Sequence, residues 1–231
     1  MRDKEFVLNG RKGFVKMFSD ADESVFNEIF VEKEYKILDE FIKNAKFPIF
    51  DIGAHKGMFS IYARCLNGLV PIFAFEPEED NIRSLKENLR INSIKGVVAK
   101  GVAVASGKGN RELFLSADSH NHSIVNRWTI DGESKIRNVE CVSLDDVFEK
   151  YNLPRVSVVK MDCEGAEFEI LGSLSSDTLN KVDVFYVEYH KYFPTFDPYL
   201  LKKIFEKNKF KVSMKPSYYG KNMGFILAQK R

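Results

Sequence analysis

The stretch DIGAHKG, Asp51 to Gly57, ends a short apolar run with an acid and then sets two glycines ahead of a helical pattern. Glycine admits positive φ and close approach of a ligand to the backbone, and a helix N-terminus offers free N–H groups to a carboxylate or phosphate. The same residues also suit a plain strand-to-helix turn. A second acid, Glu76 in FAFEP, lies 19 residues beyond Gly57. Nucleotide-binding α/β folds place there a carboxylate that accepts both ribose hydroxyls of a nucleoside. Alone, Glu76 reads as an exposed acid flanking a helix; paired with the glycine loop, it reads as part of a nucleoside site.

The loop departs from the G-x-G-x-x-G fingerprint, whose three glycines let a pyrophosphate lie on the helix. A D-x-G-x-x-x-G spacing suits an adenosine ligand without pyrophosphate, its amino-acid end held near Asp51 and the loop N–H groups. S-adenosylmethionine fits that description. The missing third glycine counts against a nicotinamide-dependent oxidoreductase, which stays open as an alternative.

A further group of acids and a histidine falls at later strand ends. Asp162 and Glu164 follow the apolar run VSVVKM, and Glu188 and His190 occupy alternate positions of YVEYH, hence one face of a strand. A histidine there could accept a hydroxyl proton near neutral pH, or simply cap the strand. Asp162, Glu188 and His190 could instead hold a divalent cation; with no further acid placed to complete coordination, the metal-free reading is preferred. Glu167 and Glu169 read as solvated or helix-start acids. His120 and His122 in SADSHNHS lack an evident third metal ligand, so substrate contact or plain surface is expected of them, and Trp128 reads as partial core.

These residues need strands to end beside one another. Continuous apolar runs (FPIFDIG, VPIFAFEP, GVVAKGVAV, VSVVKMD, VDVFYVEYH) alternate with helical stripes, which predicts a parallel sheet covered on both faces. The stripes are Phe59, Tyr62, Ala63 and Leu66; Ile82, Leu85 and Leu89; and Leu200, Leu201, Ile204 and Phe205. FKVSMK and MGFILAQ predict a closing antiparallel hairpin. Upstream, Asn9-Gly10 predicts a small hairpin within Phe6 to Phe18, and Leu38, Phe41, Ile42 and Ala45 mark a helix. The division expected is an N-terminal hairpin-and-helix extension over 1–45 and a main domain over 46–231. Asn110 to Ser143 lacks a helical stripe and reads as a strand-and-loop insertion over the carboxyl edge of the sheet.

Composition sets limits. A net charge of +2, from 35 basic and 33 acidic residues, argues against a protein that coats nucleic acid. The C-terminal lysines, with Tyr218 and Tyr219 among them, read as a solvated face; an RNA-binding protein with a vestigial cofactor site is the non-enzymatic alternative. Cys65, Cys141 and Cys163, without CxxC spacing, read as free thiols. With no apolar signal core or membrane-length run, the expectation is a soluble cytoplasmic protein.

FDIGAHKGMFS, FAFEP with Asn81 and Asn88 following, VECVSLDDV and VVKMDCEGAEFEILG, in that order over roughly Ala45 to His190, resemble the FkbM family of S-adenosylmethionine-dependent methyltransferases. KMDCEGAE, Lys160 to Glu167, is the most specific of these motifs; the N-terminal segment matches none. The resemblance implies a class I methyltransferase, Rossmann-like three-layer sandwich. Its seven-stranded, mostly parallel sheet would have order 3-2-1-4-5-7-6 and an antiparallel last strand. It further implies a cofactor loop of Asp51, Gly53, Ala54 and Gly57, and Glu76 on the ribose. Pro77, Asn81 and the segment Gly101 to Ala103 would lie by the adenine, and Asp162 by the sulfonium. The activity implied is O-methylation of a hydroxyl on a small molecule or glycan. His190, Asp162 or Glu164 would carry the catalysis, with Glu188 a further candidate base. No N-P-P-Y motif for nitrogen methylation is present.

Overall fold

The computed structural model describes residues 2–116, 122–125, 135–217 and 220–231. His120, Trp128, Tyr218 and Tyr219 lie outside them. Strands β1 (Arg2–Leu8) and β2 (Arg11–Met17) form the expected hairpin, with both turn residues at positive φ, 50° at Asn9 and 72° at Gly10. That geometry matches the twist of a two-residue hairpin loop. Helix α1 (Asp20–Phe26) starts on a capping box between Ser19 and Asp22 and widens into a π turn over Asn27–Val31. A 3₁₀ segment, Glu34–Leu38, leads into α2 (Asp39–Lys43). The regular helix is shorter than the stripe from Leu38 to Ala45 predicts, because Leu38 ends the tighter 3₁₀ turn and Asn44 closes α2.

The central sheet is built from β3 (Ile49–Ile52), α3 (Met58–Leu66), β4 (Ile72–Phe75), α4 (Glu79–Ile91) and β5 (Val97–Lys100). After Gly101 and Val102 the chain leaves this sheet, so GVVAKGVAV is two strands and not one. Strand β6 (Ala103–Val104) joins β7 (Gly109–Leu115) and β8 (Lys135–Val142) in a separate three-stranded sheet of order β6-β8-β7. The chain then continues through α5 (Leu144–Lys150), β9 (Val156–Met161), α6 (Glu167–Ser173), α7 (Ser176–Asn180), β10 (Val182–His190), α8 (Pro198–Lys207), β11 (Phe210–Pro216) and β12 (Met223–Lys230).

The seven-stranded order is β5-β4-β3-β9-β10-β12-β11, which is 3-2-1-4-5-7-6 when its strands are counted along the chain. Strand β12 runs antiparallel to both β10 and β11, and the pairings of β3, β4, β5, β9 and β10 are parallel. Alternation along β3 divides the core into two layers. Ile49 packs with Phe59, Tyr62 and Leu85 of α3 and α4, whereas Phe50 and Ile52 pack with Phe148, Ile170 and Phe185. Phe6, Phe26, Tyr35 and Leu38 from the N-terminal segment belong to the first layer. On α8, Leu201 and Phe205 are buried as expected, but Leu200 is 47% exposed. It sits about 100° round the helix from Leu201, off the buried stripe.

Candidate active site

A cavity of ≈ 400 Å³ opens at the carboxyl ends of β3, β4, β9 and β10, within the ~300–1,000 Å³ common for small-molecule sites. Of the residues expected at a cofactor, Gly53, Ala54, Glu76, Pro77, Asn81, Ala103 and Asp162 line it, together with Glu164, Glu188 and His190. Asp51 and Gly57 do not. The other walls are the small sheet, through Leu113 with Ile124 packed against it, and the N-terminal segment, through Glu28, Glu34 and Tyr35.

The loop after β3 is held by backbone. The Gly53 and Ala54 N–H groups both donate to the Phe75 carbonyl, at 3.1 and 2.9 Å. Gly53 has φ +72°, and a Cβ there would lie 1.6 Å from the Asp162 carbonyl oxygen. The glycine is therefore required by the approach of two backbones, in addition to any need of a ligand. Gly57, φ +83°, serves packing, since its Cβ would meet Leu85 Cγ of α4 at 2.8 Å.

Glu76 is 5% exposed and accepts the His55 N–H at 2.8 Å, the Glu78 N–H at 2.9 Å and the Asn81 side chain at 3.4 Å. Burial outweighs these bonds and pushes its pKa up to about 7. A carboxylate has about four lone-pair directions, so capacity for a ligand hydroxyl remains.

Asp51 shares a face of β3 with Ile49 and turns toward α3, not into the cavity. It is fully buried, accepts Ser60 Oγ at 2.7 Å and lies 3.4 Å from Lys160 Nζ. Burial pushes its pKa up against the pull of Lys160. Lys160 in turn donates to the Gly53 carbonyl at 2.8 Å and lies 3.7 Å from Asp162. Burial works against its charge, but Asp51 and Asp162 prevail and hold its pKa above the ordinary lysine value. Asp51 thus reaches the loop through Lys160. A lysine in an otherwise apolar buried strand was the signal for this pair, because such a charge requires a partner.

The opposite end of the cavity is acidic. Glu164, at φ 54°, is 7% exposed and accepts the Tyr192 hydroxyl, while its carbonyl accepts Ser123 Oγ at 2.6 Å. Glu167 starts α6 as expected but is not solvated. It is wholly buried and accepts the N–H groups of Cys163 and Gly165, both at 2.9 Å, with His190 Nδ1 at 3.3 Å. Glu169 does reach the surface region, where it pairs with Arg111 at 2.7 Å.

His190 is 2% exposed. Its Nε2 lies 3.7 Å from Glu164 and has no hydrogen-bond partner among the described residues. Burial disfavours the imidazolium, yet Glu164 and Glu167 outweigh it and hold the pKa well above the usual histidine range. Glu188 has a pKa well above the carboxylate range, through burial and then Asp162. Glu34 is pushed up to about 7 by burial, with Glu28 and Asp162 adding to it. Among the described residues, Asp162, Glu164 and His190 bring their ligand atoms within 4.8 Å of one another; Glu164 stands where Glu188 was expected. His122 lines the cavity and accepts the Ser116 N–H at 3.0 Å.

No helix of the described residues is long and apolar enough to cross a membrane, and the three cysteines are free thiols. Methyltransferase 1 of Beauveria bassiana is 27% identical to the chain over 189 residues, 72% of each. The hexuronic acid methyltransferase AglP of Haloferax volcanii is 27% identical over 145 residues, covering 62% of this chain and 55% of its own. The solved structure of an FkbM methyltransferase from Methylobacillus flagellatus superposes with a TM-score of 0.52 at 14% identity. That match covers 80% of this chain and 45% of the other, so the chain spans under half the length of that structure. Residues 51–213 match the methyltransferase FkbM domain, which contains both the glycine loop and the acidic strand ends, and the chain belongs to that family of S-adenosylmethionine-dependent methyltransferases.

Proposed function

We propose that the protein transfers the methyl group of S-adenosylmethionine to a hydroxyl oxygen of a small molecule or glycan. The observation that carries this reading is that one cavity joins the Gly53–Ala54 loop and Glu76 at one end to Asp162, Glu188 and His190 at the other. The first end offers a ribose-accepting carboxylate beside a loop whose shape is fixed by backbone. The second offers negative charge to a sulfonium and a proton acceptor to a nucleophile. The name of the Haloferax volcanii relative supports a saccharide acceptor.

In the step proposed, a lone pair of the acceptor oxygen forms the new C–O bond in line with the breaking S–CH₃ bond. The bonding pair stays on sulfur, leaving neutral S-adenosylhomocysteine, and the hydroxyl proton passes to the acidic cluster. Holding the two reactants in line supplies much of the acceleration. Arrival of the sulfonium cation lowers the pKa of nearby acids, which readies a carboxylate that burial had kept protonated. The test is incubation with methyl-labelled S-adenosylmethionine and separate panels of saccharides, small polyols, RNA and amines. Label in an alkali-stable ether of a saccharide or polyol is expected. Label confined to RNA or to amine nitrogen overturns the acceptor assignment, and no binding of S-adenosylhomocysteine by calorimetry overturns the cofactor assignment.

A further inference from the structure

Asp162, Glu164 and His190 arrive from two parallel neighbours of the sheet. Asp162 follows β9, Glu164 turns back at positive φ, and His190 ends β10, one strand over. Their ligand atoms lie within 4.8 Å of one another, at the wall of the cavity. Two carboxylates held this close repel, and a shared proton or a cation between them relieves that repulsion.

The histidine supplies the second, independent observation. At 2% exposure its Nε2 faces this cluster with no hydrogen-bond partner among the described residues. Its other nitrogen is occupied, because Nδ1 lies 3.3 Å from Glu167 Oε1. A carboxylate there keeps a proton on Nδ1, and a cation at the cluster would displace the proton from Nε2, whose direction is toward Asp162 and Glu164. A buried carboxylate behind a histidine, fixing its tautomer and raising its basicity, is the usual outer partner of a metal-bound imidazole. Glu167 is itself fixed by the Cys163 and Gly165 N–H groups, so the orientation of the ring is set by backbone. The Asp162 side chain is 30% exposed, which leaves one side of the cluster open to water or a substrate oxygen.

We infer that Asp162, Glu164 and His190 form a site for one divalent cation, with Glu167 as its outer-sphere support. The inference rests on the proposed methyl transfer for its purpose, not for its geometry. Two carboxylates and one imidazole suit a hard to borderline ion such as Mn²⁺ or Mg²⁺. A hydroxyl oxygen on that ion loses its proton more readily and is held in one orientation. Glu188 lines the same cavity outside the ligand set.

The test uses Mn²⁺ as the probe, with the full chain and electron paramagnetic resonance, in the presence and absence of S-adenosylhomocysteine. One saturable Mn²⁺ per chain is expected, with a nitrogen coupling from the imidazole in the pulsed spectrum. Asp162→Asn and His190→Gln should lose that binding, Glu167→Gln should weaken it by about tenfold, and Glu188→Gln should leave it in place. Asp162→Asn changes a partly exposed group, so a folding defect in His190→Gln does not remove the test, and thermal midpoints are measured for each variant. No saturable Mn²⁺, a Mn²⁺ without nitrogen coupling, or equal weakening by Glu188→Gln and Asp162→Asn overturns the site. If S-adenosylhomocysteine binds and Mn²⁺ does not, the cation fails and the methyltransferase reading stands; if Mn²⁺ binds and S-adenosylhomocysteine does not, the reverse holds.

Discussion

The two ends of the cavity are built in different ways. At the glycine-loop end nearly every polar group is answered by backbone: Gly53 and Ala54 donate to the Phe75 carbonyl, and Glu76 accepts from His55 and Glu78. At the other end side chains answer side chains, with Glu164 against Tyr192 and His190, and His190 against Glu167. Backbone hydrogen bonds come with the strand-loop-helix geometry and survive most changes of side chain. A cluster of charges depends on every member. The first end should thus tolerate substitution of its side chains better than the second.

The largest effect should come from the loop. Gly53→Val would drive a Cβ against the Asp162 carbonyl, 1.6 Å away, at φ +72°. Because the obstacle is backbone at the junction of β3 and β9, the expected outcome is loss of folded protein, seen as no cooperative melt. Soluble, cooperatively melting Gly53→Val that merely fails to bind S-adenosylhomocysteine would show the glycine serves the ligand alone. Glu76→Ala comes next. Losing a charge-assisted bond to a ribose hydroxyl costs about 1.5–3 kcal/mol, a weakening of S-adenosylhomocysteine by roughly 10–150-fold. Calorimetry with unchanged affinity would remove Glu76 from the site.

The difference between the ends also decides what the sequence made legible. Asp51, Gly53, Gly57 and Glu76 lie within one strand-loop-helix-strand unit, so spacing along the chain stands in for spacing in the fold. Even so, spacing could not separate Glu76, which lines the cavity, from Asp51, which turns beneath it toward Ser60 and Lys160. The strand order came from the resemblance to the family, while the alternation of apolar runs pointed only to a parallel sheet covered on both faces. At the acidic end Asp162 and His190 were legible as strand-end residues. Glu167 was not, because an acid in the first turn of a helix has an ordinary explanation, and only the return of the chain over Cys163 and Gly165 buries it. Glu28, Glu34 and Tyr35 carried no signal either. They reach the cavity through the π and 3₁₀ turns after α1, which no simple periodicity marks.

Glu167→Gln sharpens the comparison at the acidic end. The amide keeps the shape and one accepting oxygen but removes the charge that orients His190. Turnover should fall by roughly 10–100-fold, with S-adenosylhomocysteine affinity unchanged, since Glu167 does not line the cavity. A parallel loss of affinity and thermal stability, with turnover per folded molecule intact, would reduce Glu167 to a structural acid.

The smallest predicted effect is one of pH, and it separates affinity from stability through a single group. Glu76 titrates near 7 in the folded protein, against 4.5 for an ordinary glutamate, and burial is the cause. Between those values the folded state binds more protons than the unfolded state. Its contribution to stability is therefore full below about 4.5 and is lost as pH rises through 7, on the order of 3 kcal/mol for a shift of this size. Ligand binding runs the other way, because ribose hydroxyls donate best to the ionised carboxylate. From pH 8 to pH 6 the ionised fraction falls about tenfold, so S-adenosylhomocysteine should weaken by up to about tenfold while the thermal midpoint of the ligand-free protein rises. Other groups titrate in this range, Glu34 among them, so the comparison that decides is with Glu76→Ala. In that variant the affinity should lose its slope between pH 6 and 8, and the midpoint should rise less on acidification. An affinity slope that persists in Glu76→Ala would assign the titration to the acidic end of the cavity instead.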